Sequence, residues 1–432
     1  MSEEVWSARG TTPDAIEAAL RELLRARHAA DEALAPARVL NLVVIVDRQW
    51  RGEIANRLER AGRYNASRTV LCAVEEGRTA IDAVATVSDD EQAPGAPRVM
   101  RESVVLEIGA GHLAALGTIV DPILVDELPT VVWSPHHHDE ALDAMRALMD
   151  VVLVDSDDRD DPAEAFDLAR RLARAAYVVD LAWLRTTPWR ERLAASFDLP
   201  ARRPQLRRLA RLEVRHRGTS AASGLLLVGW LASRLGWATG ALEPAGGGLA
   251  GVARRPVLPE VGDGDGEPRK PAGSHGPAGS PGHGGPPESV GSPEPAGSHG
   301  PGGSPDSVLI ALRPVEQEAP GLAGVTVSAS GGTSLSLQRG PGGLDACEVT
   351  ADGTERVWRI LGASRGEGGI LGEGVRQALL RDPTYEPALG AATALCGARR
   401  SGHTGSAGGG SARIGPSRLP FDGGAAGTRG RR

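Results

Sequence analysis

The chain has 432 residues, a formal net charge of −7 and a pI near 5.9. That balance excludes a dedicated nucleic-acid binder, which carries a strong basic excess. The three cysteines, Cys72, Cys347 and Cys396, are odd in number and far apart. They exclude a zinc ribbon or a disulfide framework and point to reduced thiols in a cytoplasm. The N-terminal MSEEVWSARG begins acidic and has no apolar leader core. The apolar run between Arg217 and Arg234 is shorter than the ~20 residues a spanning helix needs. A soluble cytoplasmic protein without membrane contact is expected. A single lysine, Lys270, stands among 48 basic residues. This is the coding bias of a GC-rich genome, and it discounts any one arginine as chosen for a task.

In chain order, Thr12-Pro13-Asp14 opens a helix, because Thr caps, Pro fits the first turn and Asp suits the positive end. Val39 to Val46 is a short apolar run rich in β-branched residues, as in a buried strand, and Asp47 stands at its end. A helix is predicted from Trp50 to Ala61. Strands follow at Thr69–Val74, Ile81–Val87, Val99–Ile108 and Leu128–Trp133. His138–Met149 reads as a helix, Val151–Val154 as a strand ending in Asp155, and Pro162–Ala175 as a helix. The alternation predicts a layered α/β N-terminal domain over residues 1–175, and the strand cluster at 69–108 makes its sheet mixed. Residues 176–261 are helical around a Thr-Thr-Pro break, then strand-like near Leu206–Val214, then helical at Ala221–Leu235. Residues 262–306 are Gly, Pro and Ser with a near-duplication, PAGSHGPAGSP against PAGSHGPGGSP. Such a segment buries too little to offset its ordering entropy and is expected to be a disordered linker. Short strands at Val308–Leu312, Val325–Ser328, Ser334–Gln338, Ala346–Thr350 and Glu355–Ile360 predict an antiparallel sheet, followed by a helix at Gly372–Leu380. Residues 307–396 thus form a smaller α+β C-terminal portion, and 397–432 a disordered tail.

Few residues carry chemistry at a telling spacing. The Val104–Gly111 loop, VVLEIGAG, places Gly109-x-Gly111 after a strand, where glycines let a backbone approach a phosphate. It resembles the first motif of S-adenosylmethionine-dependent methyltransferases, which makes that activity the alternative reading. Asp121 and Asp126 do not supply the acidic strand end such a site requires. His136-His137-His138 are contiguous, so they point in different directions and do not make a ligand set; a solvated helix entry is expected. No phosphate loop or H-E-x-x-H stretch is present. No catalytic residue, metal or cofactor is therefore assigned.

The richest stretch is Asp180–Asp198, DLAWLRTTPWRERLAASFD, which puts Trp183 and Trp189 among alternating Arg and acid. Trp and Arg are the types most enriched at binding hot spots. Trp183, Arg185, Trp189, Arg190 and Arg192 are candidate partner-binding residues, with Trp189-Arg190 as a surface anchor. With LLLVGWLASRLGW at 225–237, DVVLVDS at 150–156, HLAALGTIVDPILVDELPTVVWSP at 112–135 and ILGEGVRQALLRDPTYEPAL at 370–389, this stretch resembles the glucose-6-phosphate dehydrogenase assembly protein family, OpcA, in its actinobacterial form. Where the family commonly has a second Trp and a Pro-Gly near Trp133, this chain has Ser134-Pro135 and the histidines. The resemblance marks Asp180, Trp133, Asp155, Trp230 and Trp237 as structural signature positions. It implies a non-catalytic protein that assists or activates glucose-6-phosphate dehydrogenase, its partner, at the entry to the oxidative pentose phosphate pathway.

Overall fold

The computed structural model describes residues 3–30, 38–62, 67–90, 99–200, 202–256, 306–362 and 367–397. The low-complexity segment at 262–306, except Asp306, and the tail from 398 lie outside them. The first part of the chain runs β1 (Glu3–Ala8), α1 (Pro13–Ala30), β2 (Leu40–Asp47), α2 (Arg51–Gly62), β3 (Ser67–Glu75), β4 (Asp82–Asp90) and β5 (Val99–Gly109). It continues through α3 (Leu116–Val120), β6 (Thr130–Trp133), α4 (Asp139–Ala144), β7 (Val151–Val154), α5 (Pro162–Leu172) and β8 (Tyr177–Asp180). Its eight strands form one sheet in the order β1-β4-β5-β3-β2-β6-β7-β8. The six strands from β5 to β8 are parallel, and β4 and β1 extend the sheet antiparallel. The parallel strands follow the doubly wound order 3-2-1-4-5-6, with the reversal between β2 and β6. Central β2 is buried along nearly its whole length, as a strand covered on both faces must be.

Next come α6 (Leu181–Ser196), α7 (Arg203–Leu206), β9 (Leu209–Arg217), α8 (Ala221–Leu235), β10 (Ala238–Thr239), β11 (Glu243–Ala245) and β12 (Gly248–Arg254). After the undescribed segment follow β13 (Ser307–Val315), β14 (Leu322–Ala329), β15 (Ser334–Gly340), β16 (Gly343–Val349), β17 (Glu355–Leu361), α9 (Glu367–Gln377) and α10 (Tyr385–Cys396). These strands make a second sheet, β10-β12-β13-β9-β14-β15-β16-β17, with β11 on β12. It is antiparallel except where β9 lies parallel to β13, so the expected all-antiparallel sheet is mixed. In β9, Leu212, Val214 and His216 are buried and alternate with half-exposed or exposed neighbours, the pattern of a sheet with one face on the core.

β8, just past the boundary expected at 175/176, closes the first sheet. Two expectations shift. Pro188 lies inside one continuous helix instead of breaking it; Thr186 bonds the Trp183 carbonyl with its own hydroxyl at 2.7 Å on the turn before. The last helix, α10, runs on from the Asp382-Pro383 stop and packs on α8 and α5. α8 is buried nearly all round, as its composition requires. A Cβ at Gly229 would lie 2.3 Å from the Ala388 carbonyl oxygen, so this glycine sets the approach of α8 to α10. One continuous apolar core runs from Ile16 to Leu395 and joins both sheets.

Candidate functional site

The signature segment begins where β8 hands over to α6, and Asp180 caps that helix. Its Oδ1 accepts from the Ala182 N–H at 3.0 Å and the Ser156 N–H at 3.1 Å. Its Oδ2 accepts from the Ser156 hydroxyl at 2.6 Å and the Tyr385 hydroxyl at 3.1 Å. Asp180 is 1% exposed. Burial, with the nearby Asp155 charge, raises its pKa to about 6 against the pull of these hydrogen bonds. Burial and Asp180 likewise push the Tyr385 phenol well up.

One turn on, Arg185 grips Asp155 with both terminal nitrogens, at 2.7 and 2.6 Å, and lies 3.7 Å from Asp157. Asp157 accepts from the Ser223 N–H at 2.9 Å and hydroxyl at 2.6 Å, which ties the end of β7 to α8. Burial first, then Asp155, raise the Asp157 pKa, with Arg185 opposing. The strand end at Asp155 thus holds two buried carboxylates, Asp155 and Asp157, around one guanidinium, with the Asp180 carboxylate close by.

The next turn reaches the far end of the chain. The Trp183 indole N–H donates to Asp382 Oδ2 at 2.9 Å across 199 residues. The Arg190 guanidinium lies over the Trp183 ring, 3.5 Å from its centroid, and 3.6 Å from the same carboxylate. Burial lowers Arg190 to about 10, with Asp382 working against it. The Asp382 N–H donates to the Tyr177 hydroxyl at 2.6 Å, and Tyr385 packs against Trp183. Opposing its own burial, hydrogen bonds from Thr384 and Trp183 and the Arg190 charge hold Asp382 below the usual carboxylate range.

The structure therefore brings Trp183, Arg185, Arg190, Asp155 and Asp180 together. Trp189 is corrected: at 1% exposure it is core, so it is not a surface anchor. Arg192 is half-buried, Trp133 and Trp237 are buried, and Trp230 is half-buried. Sequence reasoning missed Ser156, Asp157, Tyr177, Ser223, Asp382 and Tyr385. The Asp382-Pro383-Thr384-Tyr385 stretch was visible as a helix boundary, but nothing in its spacing shows that it meets Trp183.

At the reversal of strand order, where open α/β sheets bind ligands, the β2 end holds histidines. The Asp47 N–H donates to His136 Nδ1 at 3.0 Å, and His138 Nε2 lies 3.1 Å from Asp47 Oδ1. Trp50 packs beside His136. The expected solvated helix entry is therefore corrected for two of the three histidines, which turn onto Asp47. His137 remains exposed, with φ at +61°. Partial burial lowers His136. A shallow open crevice beside the histidines is lined by Trp133, Pro135, His137, Asp139 and Arg159. The Arg159–Asp139 pair there closes at 2.7 Å. Among the described residues no group of three or more His, Cys, Asp or Glu side chains is set to hold a metal. No helix among them is long and apolar enough to cross a membrane.

The Gly109-x-Gly111 loop stands elsewhere, two strands from that reversal. A Cβ on Gly109 would fall 1.8 Å from the Arg78 carbonyl oxygen, and the Gly109 N–H donates to His112 Nδ1 at 3.0 Å. Gly109 thus seats one turn against another and its amide is already used. The alternative in which it approaches a phosphate finds no room at Gly109; Gly111 is open but alone.

Two family models match the chain. One describes the N-terminal domain of a glucose-6-phosphate dehydrogenase subunit and covers residues 58–171. The other describes the C-terminal domain of the same kind of subunit and covers residues 176–255. Among curated proteins, a Synechococcus elongatus relative is 31% identical over 172 residues, 39% of this chain and 39% of its own length. A Nostoc punctiforme relative is 31% identical over 140 residues, 32% and 30% of the two chains. Both are named, provisionally, as the OxPP cycle protein OpcA. The chain matches less than two fifths of these relatives' length. Solved structures similar in outline include an oxidoreductase from Bacillus cereus (12% identity, TM-score 0.39, 82% of this chain and 93% of that one) and a Gal80p mutant from Saccharomyces cerevisiae (7%, 0.38, 81% and 87%). Likeness at that level carries no argument. The two family models meet just ahead of β8, and with the cyanobacterial relatives they place residues 58–255 of the chain in the OpcA family of glucose-6-phosphate dehydrogenase assembly proteins.

Proposed function

We propose that this chain is a non-catalytic cytoplasmic partner of glucose-6-phosphate dehydrogenase that promotes the enzyme's active assembly and so supports NADPH production in the oxidative pentose phosphate pathway. Family membership carries the reading. The geometry supports it in one respect: the buried Asp155, Asp157, Asp180, Arg185 and Arg190 side chains hold elements of this chain to one another. Groups engaged in that way are positioned for rigidity, not for turnover.

A partner shifts an equilibrium only through differential affinity for its two states. The chain must then bind the active dehydrogenase assembly more tightly than the inactive one. Purified dehydrogenase, measured with and without equimolar chain, should co-elute with it and show a changed oligomer distribution and a higher rate. Unchanged elution and unchanged rate would overturn the proposal. The methyltransferase alternative is tested by calorimetry with S-adenosylmethionine. No heat of binding is expected, because Gly109 is closed by Arg78 and His112.

A further inference from the structure

The second sheet ends in β17, and that edge has unusual properties. β17 pairs with β16 in unbroken register over its seven residues, and no other described strand lies on its far side. Long open edges invite pairing, and proteins blunt them with charged side chains, Pro, bulges or brevity. The opposite edge of this sheet is blunted by brevity, since β10 has two residues. β17 has no Pro and its register with β16 shows no bulge; its charges, Glu355, Arg356 and Arg359, are of both signs, so they repel a strand of unmatched charge order and not one that complements it. Val357 is 65% exposed and Leu361 73%.

The hydrogen-bond phase of the hairpin shows which groups are open. The Thr350 N–H donates to the Thr354 carbonyl at 3.0 Å, and the Gly362 N–H donates to the Gly342 carbonyl at 3.0 Å. Alternation along an antiparallel pair then turns the even-numbered residues of β17 toward β16. The N–H and C=O groups of Glu355, Val357, Arg359 and Leu361 face outward.

The sequence of this edge, Glu355-Arg356-Val357-Trp358-Arg359, is complementary to its own reverse. An antiparallel pair about a two-fold axis at Val357 sets Val357 against Val357, Glu355 against Arg359, and Arg356 against Trp358. All outward-facing backbone groups from 355 to 359 are then in phase to bond. The opposed charges share one face of the sheet, and the guanidinium–indole pairs share the other. Opposite charges and cation–aromatic pairs in directly opposed positions are favourable cross-strand partners. Among the described residues of one chain these side chains have half-buried partners near the surface: Arg359 with Asp345 at 2.6 Å, Glu355 with the Cys347 thiol at 3.3 Å, and Arg356 at 5.3 Å from its neighbour Trp358.

We propose that β17 is a self-association edge, on which a second copy of this chain pairs antiparallel about a two-fold axis and joins two nine-stranded sheets into one. The self-complementary order of charge selects a second copy over any other strand. An isologous contact of this kind closes on itself and does not propagate into fibres.

Sedimentation velocity of the full chain over a concentration series tests this with charge swaps. Wild type should show a reversible dimer. Glu355→Arg or Arg359→Glu, each of which opposes like charges twice across the axis, should weaken it about tenfold or more. The double swap Glu355→Arg/Arg359→Glu should restore it. Val357→Pro removes an outward N–H without touching a bond to β16, and should abolish the dimer with an unchanged circular dichroism spectrum. A wild-type chain that stays monomeric at every concentration overturns the proposal, whether another part of the chain or the dehydrogenase covers the edge. A dimer that ignores both single swaps, or that the double swap fails to restore, places the contact elsewhere and overturns it too.

Discussion

Asp180 shows how one residue carries several duties. It caps a helix, anchors the Ser156 turn and holds Tyr385 from the last helix. Its folded-state pKa, about 6, lies above the ordinary value near 3.9. The native state therefore holds this proton more tightly than the unfolded chain does. The stability it contributes is full below about pH 4 and is lost as pH rises through about 6. Asp157, raised by the same burial, acts in the same direction. Urea titrations at about pH 5 and pH 7.5 should show this contribution falling with pH, and Asp180→Asn should flatten the slope between them; an unchanged slope would remove Asp180 as its source. Trp183→Phe tests the neighbouring contact. It deletes the donor to Asp382 and weakens the stack under Arg190, and should cost about 1–3 kcal/mol with the m-value unchanged. Replacing Trp189 and Arg190 together reads the stability of the core, since Trp189 is buried. The thiol of Cys72, pushed up to about 12 by full burial, is inert in the folded chain.

At the scale of elements, close approach of helices decides more than propensity does. Gly224 and Gly229 interrupt the apolar run of α8, where glycine costs about 0.5–1 kcal/mol relative to alanine. The run tolerates Gly229 because α10 needs the space: a Cβ there would sit 2.3 Å from one backbone atom and 2.8 Å from another. Gly229→Val should push α10 off α8 and cost about 1–3 kcal/mol by overpacking, read as a lower midpoint in thermal or urea unfolding. A neutral result would show that α10 re-seats freely. The α8 end is equally determined, since Gly236 takes the left-handed conformation that closes a helix. α6 runs on through Pro188, and its Trp183, Arg185 and Arg190 make tertiary contacts that a local reading does not see.

Across the whole molecule, two sheets share one core. α9 packs on α2 of the first sheet, α10 packs on α5 and α8, and α6 links the two layers. Chains whose parts share buried apolar area unfold together. Calorimetry of the full chain should therefore show one cooperative transition in place of separate N- and C-terminal ones. Two resolved transitions would mean that the junction at Asp155, Asp180 and Asp382 contributes little coupling.

Much of this was legible in the residues. The alternation of apolar runs with capped helices dictated the α/β class and most elements of the first sheet, because burial on both strand faces writes a continuous hydrophobic signal. Asp180, Trp183 and Arg190 stood out by type, and the signature segments pointed to the family. Elements without such a signal were lost. β1 is only half-buried at an edge, β8 is four residues long, β10 and β11 are two and three residues long, and β12 is rich in Gly and Ala. The burial of Trp189 was not readable either, because a Trp in a Thr-Pro-Trp-Arg context suits a surface as well as a core. Local sequence by itself determined which segments are strand and helix, through periodicity and caps that act over a few residues. Only the tertiary structure decided that Asp382 meets Trp183, that two histidines close on Asp47, and that Gly109 seats Arg78. Contacts across tens to hundreds of residues depend on how whole layers stack, which no local pattern encodes.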